Sequence, residues 1–375
     1  NWAASDVTRS LSVPLGVKEK NEPVCLDLHE NAHGPHGLVA GTTGSGKSEV
    51  LQSYVLAMAA AFHPYEVGFV IIDFKGGGMV NQFRDLPHLI GAITDMDGRE
   101  VNRSLLSIRA ELDKRKRLFA EHNVNKIDQY IALYKAGQAR EPLPHLIIIV
   151  DEFAELKADQ PEFMQELISA ARIGRSLGVH LILATQKPAG QVNEQIWSNS
   201  RFKLCLKVQD ASDSKEVLKS PLAAKIKDPG RAYLKVGNDE IFELFQSGYS
   251  GVKTLYDGEE VTQLTAVVRR IAAFCEKAGI QRLSPICLPP LPGELAYPAE
   301  LAAEGGSLVP IGRYDDPAVQ RQGTVLLDLN ENTFILGSAQ TGKTNLLQSL
   351  IRTVACRHTA EEMEAELTAV VDQGC

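Results

Sequence analysis

Eight consecutive residues, Gly41-Thr42-Thr43-Gly44-Ser45-Gly46-Lys47-Ser48, carry the spacing G-x-x-x-x-G-K-[ST] of a phosphate-binding loop. Glycines at these positions let the chain curl until successive backbone N–H groups point inward, and the N-terminus of a following helix adds its positive end. In such a loop Lys47 reaches the β- and γ-phosphates of ATP, and the Ser48 hydroxyl ligates Mg²⁺. A second pair of reactive groups, Asp151-Glu152, closes the apolar run Leu146-Ile147-Ile148-Ile149-Val150. This is the Walker B arrangement: Asp151 holds the Mg²⁺ shell through water, and Glu152 polarises the attacking water as general base. Two acids there could also do no more than favour the start of the next helix. The phosphate loop in the same chain makes the catalytic pairing the expectation.

These groups need a sheet to position them. Gly37-Leu38-Val39-Ala40 reads as a short buried strand before the loop, and Glu49 to Phe62 spaces its apolar residues as a helix after it. Val67 to Asp73 reads as a buried strand that opens into Asp73-Phe74-Lys75-Gly76-Gly77-Gly78, either a ligand loop or a plain connection. The all-apolar run before Asp151 fits a parallel strand covered on both faces. A helix over 99–122 has Leu105, Ile108, Leu112 and Phe119 on one face, and its run Lys114-Arg115-Lys116-Arg117 is expected to be a solvated face. Phe163 to Leu177 reads as a helix, and His180 to Gln186, Phe202 to Val208 and Arg231 to Val236 as strands. Val13-Pro14-Leu15-Gly16 and Val24 to Leu28 read as an edge hairpin. The fold class that follows is α/β, a RecA-like P-loop NTPase with a mostly parallel sheet flanked by helices. In RecA-like motors a polar pair ending the strand beside Walker B senses the γ-phosphate, which makes Gln186 the sensor candidate. Arg103, Arg172 and Arg175 are the arginines that could reach a neighbouring subunit's nucleotide.

The chain has 375 residues, 44% hydrophobic and 23% charged, which is ordinary globular composition with room for two or three domains. A net charge of −8 gives it no general basic footprint for nucleic acid. Its six cysteines have no metal-binding spacing and read as reduced thiols. No run is long and apolar enough to span a bilayer, and the expectation is a cytosolic fragment of a larger protein. The sequence also repeats. Val309-Pro310-Ile311-Gly312 echoes the hairpin, and Gly337-Ser338-Ala339-Gln340-Thr341-Gly342-Lys343-Thr344 is a second phosphate loop. The two offsets agree (337 − 41 and 309 − 13 both give 296), as expected for tandem copies. The second copy reaches Ala369-Val370-Val371-Asp372, the counterpart of the strand ending at Asp73, and its own Walker B strand would lie beyond Cys375. Its loop has Gln340 where the first has Gly44, which leaves its competence open. The expected division is a first module over 1–287, a Pro-rich linker over 288–304, and the N-terminal part of a second module over 305–375.

The run Ala171-Arg172-Ile173-Gly174-Arg175-Ser176-Leu177-Gly178-Val179-His180 and its continuation to Pro188 resembles the FtsK/SpoIIIE ATPases. Asp73 to Gly78, Asp151-Glu152-Phe153-Ala154-Glu155-Leu156, Gln195-Ile196-Trp197-Ser198-Asn199-Ser200 and Val208 to Ser214 resemble one branch of them, the EssC/EccC motors of type VII secretion. The resemblance covers nearly all of the first module and the start of the second. It implies ATP and Mg²⁺ as cofactors, and a cytosolic position in a membrane-anchored protein that belongs to a larger secretion complex. Its substrates would be small helical-hairpin proteins of the ESX type, and its active form a homo-hexamer with an arginine finger supplied in trans. On that pattern Arg103 is the first choice for the finger and Arg175 the second. A double-stranded DNA translocase of the same fold is the alternative, disfavoured by the acidic balance. A slowly hydrolysing regulatory scaffold is a third reading, which the intact Asp151-Glu152 pair opposes for the first module.

Overall fold

The computed structural model describes residues 2–73, 76–94, 98–192, 194–295 and 307–357. The chain divides into two compact units, Asn1–Cys287 and Leu288–Cys375. Among the described residues of the first unit, ten strands form one sheet. The strands are β1 (Ser12–Val17), β2 (Pro23–Asp27), β3 (Gly37–Ala40), β4 (Val67–Asp73), β5 (Leu89–Ile93), β6 (His145–Asp151), β7 (Val179–Thr185), β8 (Phe202–Cys205), β9 (Arg231–Val236) and β10 (Ile241–Ser247). Their order is β2-β1-β10-β9-β8-β3-β7-β6-β4-β5. From β8 to β5 every pairing is parallel, and from β9 outward every pairing is antiparallel.

The parallel half explains its own composition. β4, β6 and β7 are buried at every position, because helices cover both faces of a parallel sheet. The covering helices include α1 (Lys47–Ala61), α2 (Gly78–Phe83), α3 (Gly98–Glu121), α4 (Ile127–Lys135), α5 (Phe153–Asp159) and α6 (Pro161–Gly174). α7 (Glu194–Asn199) and α8 (Ala211–Leu218) flank β8, and a small hairpin of β11 (Lys253–Tyr256) and β12 (Glu259–Thr262) leads into α9 (Gln263–Lys277). The β1–β2 hairpin does sit on the sheet's edge, but β10, β9 and β8 stand between it and β3. β5, β10, α4 and α8 are further elements that the periodicity did not flag. The described cysteines 25, 205, 275, 287 and 356 are all free.

One expectation on α3 is corrected. The run Lys114 to Arg117 is not a solvated face throughout, since Arg115 is 0% exposed. Its Nε donates to Glu111 Oε1 at 2.8 Å and its Nη1 to the Leu177 carbonyl at 2.8 Å. The reason is spacing: Arg115 follows Ile108 and Leu112 and precedes Phe119 at steps of three and four, so it falls on the buried stripe. Its neighbours are answered as well: Lys114 by Glu141, Lys116 by Asp113 and Arg117 by Glu121. The run therefore offers little free positive charge.

In the second unit, β13 (Leu308–Asp316) pairs antiparallel with β14 (Arg321–Asp328), and α10 (Lys343–Arg357) follows the second loop. The hairpin repeats a detail of the first: its register shifts between Pro310 and Gly312, as that of β1–β2 shifts between Pro14 and Gly16. α10 and α1 each run for 15 residues. After β14 no strand is formed over residues 329–336, which lead into the second loop, and Phe334 and Leu336 are 84% and 80% exposed there. Phe74, Lys75, Ala369 to Asp372 and Cys375 lie outside the described residues, as does most of the expected linker.

The buried Arg115 yields a prediction. Arg115→Met takes the buried guanidinium away from Glu111 and from the Leu177 carbonyl and should cost about 3–5 kcal/mol. At about 2–4 °C per kcal/mol for a domain of this size, thermal melts should show a large fall in Tm. Arg117→Met, on the exposed side, should leave the melt almost unchanged.

Candidate nucleotide site

The phosphate loop leaves the C-terminal end of β3, and the sheet holds it from both sides. Gly41 N donates to the Thr185 carbonyl on β7 at 3.1 Å, and Thr42 N to the Lys207 carbonyl beyond β8 at 2.9 Å. Ser45 N donates to the Thr42 carbonyl at 3.0 Å, and the Ser45 carbonyl accepts from Gly230 N at 2.8 Å. Gly44 and Gly46 both take left-handed backbone, φ 78° and 92°. Gly46 has a second constraint, because a Cβ there would stand 2.8 Å from Gly230 N. Lys47 and Ser48 then open α1, so the loop's amides and the helix terminus share one concavity. Ser45 Oγ is buried there with no hydrogen-bond partner among the described residues. Such an orphan suits a cradle shaped for a polar ligand.

The two carboxylates stand where β6 ends. Lys47 is buried, and its ammonium donates directly to Asp151 Oδ1. Glu152 is also buried and takes left-handed backbone, φ 71°, as the residue preceding α5. A non-glycine residue is rarely held there without compensation. The compensation is local: Thr185 Oγ1 donates to Glu152 Oε1 at 2.7 Å, and Gln186 N to Oε2 at 3.0 Å. β7 lies between β3 and β6, so its last residues touch both halves of the site. Gln186 Oε1 accepts from Thr43 Oγ1 at 2.8 Å, joining the sensor candidate to the phosphate loop.

Sequence reasoning left Asp73 in a stretch that was either a ligand loop or a plain connection, and from the polar pair ending β7 it singled out Gln186 and not Thr185. Asp73 is buried at the end of β4, in register beside Asp151, and its Oδ2 accepts from Met79 N at 2.9 Å where α2 begins. The signal available was a polar residue ending a buried parallel strand, which applies to both. The fit to Mg²⁺ rests on the donors present: Ser48 is exposed beside the cradle, and Asp151 presents a carboxylate opposite it. Among the described residues no cluster of three His, Cys, Asp or Glu forms a metal cage by itself, so the cation would share its ligands with nucleotide phosphates.

The arginines separate. Arg103 is near the start of α3, which begins five residues after the C-terminal end of β5. Its Nη1 lies 3.3 Å from Glu100 Oε2, and the side chain is 13% exposed. Arg172 and Arg175 lie at the C-terminal end of α6, which precedes the start of β7, and so stand at the sheet's opposite edge. Arg175 Nε is 3.2 Å from Glu30 Oε2. In the second unit Gln340 adopts φ 62° and Gly342 φ 91°, the left-handed turns of Gly44 and Gly46. Lys343 folds back onto the Gly337 and Ser338 carbonyls. It meets no carboxylate among the described residues.

Compared with known proteins, residues 3–190 match the family model FtsK/SpoIIIE family, half of the chain. The chain belongs to the FtsK/SpoIIIE family. It is 49% identical, over 96% of its length, to the type VII secretion system protein EssC of Staphylococcus aureus. Identity is also 49%, over 95%, to the ESX secretion system protein EccC of Geobacillus thermodenitrificans. It spans 28% and 26% of those two proteins. The cytoplasmic domain of the Thermomonospora curvata type VII secretion ATPase EccC superposes with TM-score 0.80 at 31% identity, covering 96% of this chain and 44% of that one. The FtsK/SpoIIIE match ends at residue 190, before β8, so the six-stranded parallel half is completed by sequence outside it.

A prediction follows from β7. Thr185→Val keeps the side-chain volume but removes the hydroxyl that holds Glu152. Steady-state turnover of ATP should fall about tenfold or more, since displacing the carboxylate expected to act as general base forfeits part of its contribution. Equilibrium nucleotide binding should stay near the wild-type value, and an equal loss in both would place Thr185 in binding instead.

Proposed function

We propose that the first unit is an Mg²⁺-dependent ATPase motor that couples ATP turnover to export of small helical proteins through a type VII secretion system. The observation that carries this reading is the Lys47–Asp151–Glu152 constellation around a phosphate cradle, in a chain 49% identical to EssC and EccC. Lys47 would leave Asp151 for the β- and γ-phosphate oxygens, and the loop amides from Gly41 to Ser48 would bind the rest. Glu152 would take a proton from a water whose oxygen attacks the γ-phosphorus while the bond to the β-phosphate oxygen breaks, giving ADP and phosphate. Bound Mg²⁺, held by Ser48 and through water by Asp151, would neutralise charge on the two phosphates. Gln186 would report the γ-phosphate, since it already contacts Thr43 and Glu152.

In this reading Arg103 is the finger offered to a neighbouring subunit. It must first leave Glu100, so subunit assembly and release of that ion pair would be one event. A homo-hexamer on the cytosolic face of a membrane-anchored secretion complex, with ESX-type helical hairpins as cargo, completes the proposal. Among the described residues no helix is long and apolar enough to cross a membrane. The net charge of −8 and the neutralised run on α3 stand against a DNA translocase. The second loop, Gly337 to Thr344, is proposed as a nucleotide-binding loop of a divergent module.

The test is ATP hydrolysis by the chain alone, with duplex DNA, and with an ESX-type substrate or its C-terminal peptide. Stimulation by substrate and not by DNA supports export, and stimulation by DNA alone overturns it. Lys47→Ala should abolish turnover. Glu152→Gln should bind ATP yet lose at least about a hundredfold in turnover, and normal turnover in it would remove Glu152 as the base. Arg103→Ala should lower turnover only under conditions where subunits assemble.

A further inference from the structure

The opposite end of the sheet holds a second concentration of positive charge that the nucleotide chemistry does not use. β8 is buried at all four positions, yet its second residue is Lys203, 3% exposed. Lys203 pairs in register with Lys235 on β9, which sets two ammonium-bearing side chains directly across from each other. Like charges in that relation destabilise a sheet unless something answers them. Lys235 is answered: it donates to the Leu218 carbonyl at 3.0 Å and lies 2.9 Å from Asp239. Lys203 has no hydrogen-bond acceptor or carboxylate among the described residues. Its Nζ lies 3.8 Å above the Trp197 ring, with Lys219 Nζ at 4.9 Å from the same ring. Burial first, then Lys235 and Lys219, lower its pKa to about 8.

This unpartnered ammonium lines a cavity of about 380 Å³, together with Trp197, Arg172, Arg175, Arg201 and Asn199. The cavity also reaches His36, just ahead of β3, whereas the phosphate loop leaves the other end of that strand. Arg201 Nε is a second buried donor without a partner among the described residues. Two carboxylates compensate part of the charge: Glu240 lies 3.1 Å from Arg201, and Glu30 lies 3.2 Å from Arg175. Four cations against two carboxylates leave two positive charges facing one small concavity. A carboxylate ligand would answer one of them, and a phosphate dianion answers both. Guanidinium forks at the rim match phosphate oxygens in pairs, and the buried lysine supplies a point charge from below.

We propose that this cavity binds a phosphate dianion, free or as the head of a phosphomonoester, at a site separate from the phosphate loop. The residues of the Gln195 to Ser200 stretch, which carry no part of the hydrolysis, gain a role here: Trp197 floors the site and Asn199 offers an amide.

The experiment is calorimetric titration of inorganic phosphate into the full chain carrying Lys47→Ala and Lys343→Ala, which silences both phosphate loops. One phosphate should bind. Lys203→Met and, separately, the exposed Arg172→Gln should each weaken it about tenfold or more, since a charge-assisted hydrogen bond contributes about 1.5–3 kcal/mol. If Lys203→Met does not fold, Arg172→Gln carries the test, because its side chain lies at the surface. O-phosphoserine binding as well as inorganic phosphate supports a monoester ligand, and binding of phosphate alone supports the free ion. The proposal is overturned if phosphate does not bind once Lys47 and Lys343 are replaced, if Arg172→Gln leaves the affinity unchanged, or if acetate binds as tightly as phosphate.

Discussion

The buried Lys47–Asp151 pair is the interaction on which the rest of the site depends. It joins the first residue of α1 to the last residue of β6, across a strand that belongs to neither. An ammonium at that depth is costly to leave unanswered, because an uncompensated buried charge costs several kcal/mol. With Asp151 as partner the charge of Lys47 is answered within the site. In the proposed function the same pairing sets the terms for a nucleotide: phosphate oxygens would have to offer Lys47 more than Asp151 does, and in doing so they would release a carboxylate for the cation. Binding of phosphate and preparation of the metal position would then be one exchange of partners.

β7 makes that exchange legible to the chemistry. Its backbone holds Gly41, its Thr185 hydroxyl holds Glu152, and the next residue bridges Glu152 and Thr43. Glu152 is the strained member, a carboxylate on left-handed backbone whose position is fixed by two donors from β7. A change at the phosphate loop that moves Gln186 therefore tugs on the proposed base within two bonds of contact. No separate relay is needed. The order β3-β7-β6 is what brings these groups together, and the antiparallel strands beyond β8 widen the sheet without entering the site.

Much of this could be read from residue order because it is local. The phosphate loop, its strand and its helix are consecutive, and the all-apolar runs of β4, β6 and β7 announce strands covered on both faces. What stayed hidden depends on the long-range register. Asp73 looks like the start of a loop until β4 is laid beside β6, and Thr185 looks like the tail of a strand until Glu152 turns back to it. Arg115 shows the same limit from another side: charge composition says surface, whereas its place on the Ile108–Leu112–Phe119 stripe says core, and there Glu111 and the Leu177 carbonyl accept from its Nε and Nη1. The Lys203–Lys235 opposition is invisible in the sequence for the same reason, since the two residues meet only when β8 and β9 pair.

The second copy separates what the loop sequence fixes from what the sheet fixes. Its hairpin keeps the bulge, and its helix keeps its length and its distance from that bulge. Gln340 keeps the left-handed turn although glycine is gone, at a strain of about 1 kcal/mol or somewhat more. The counterpart position shows why this is tolerated: nothing lies within 4 Å of a Cβ built on Gly44, so a side chain there meets backbone strain but no clash. Gly46 is different, packed against Gly230, and its counterpart Gly342 is retained. The lysine, however, has a different partner: among the described residues Lys343 meets its own loop carbonyls, whereas Lys47 reaches across the sheet to Asp151. The curl and the helix start are thus common to both copies, and in the first copy it is the neighbouring strands β6 and β7 that bring carboxylates to the phosphate loop.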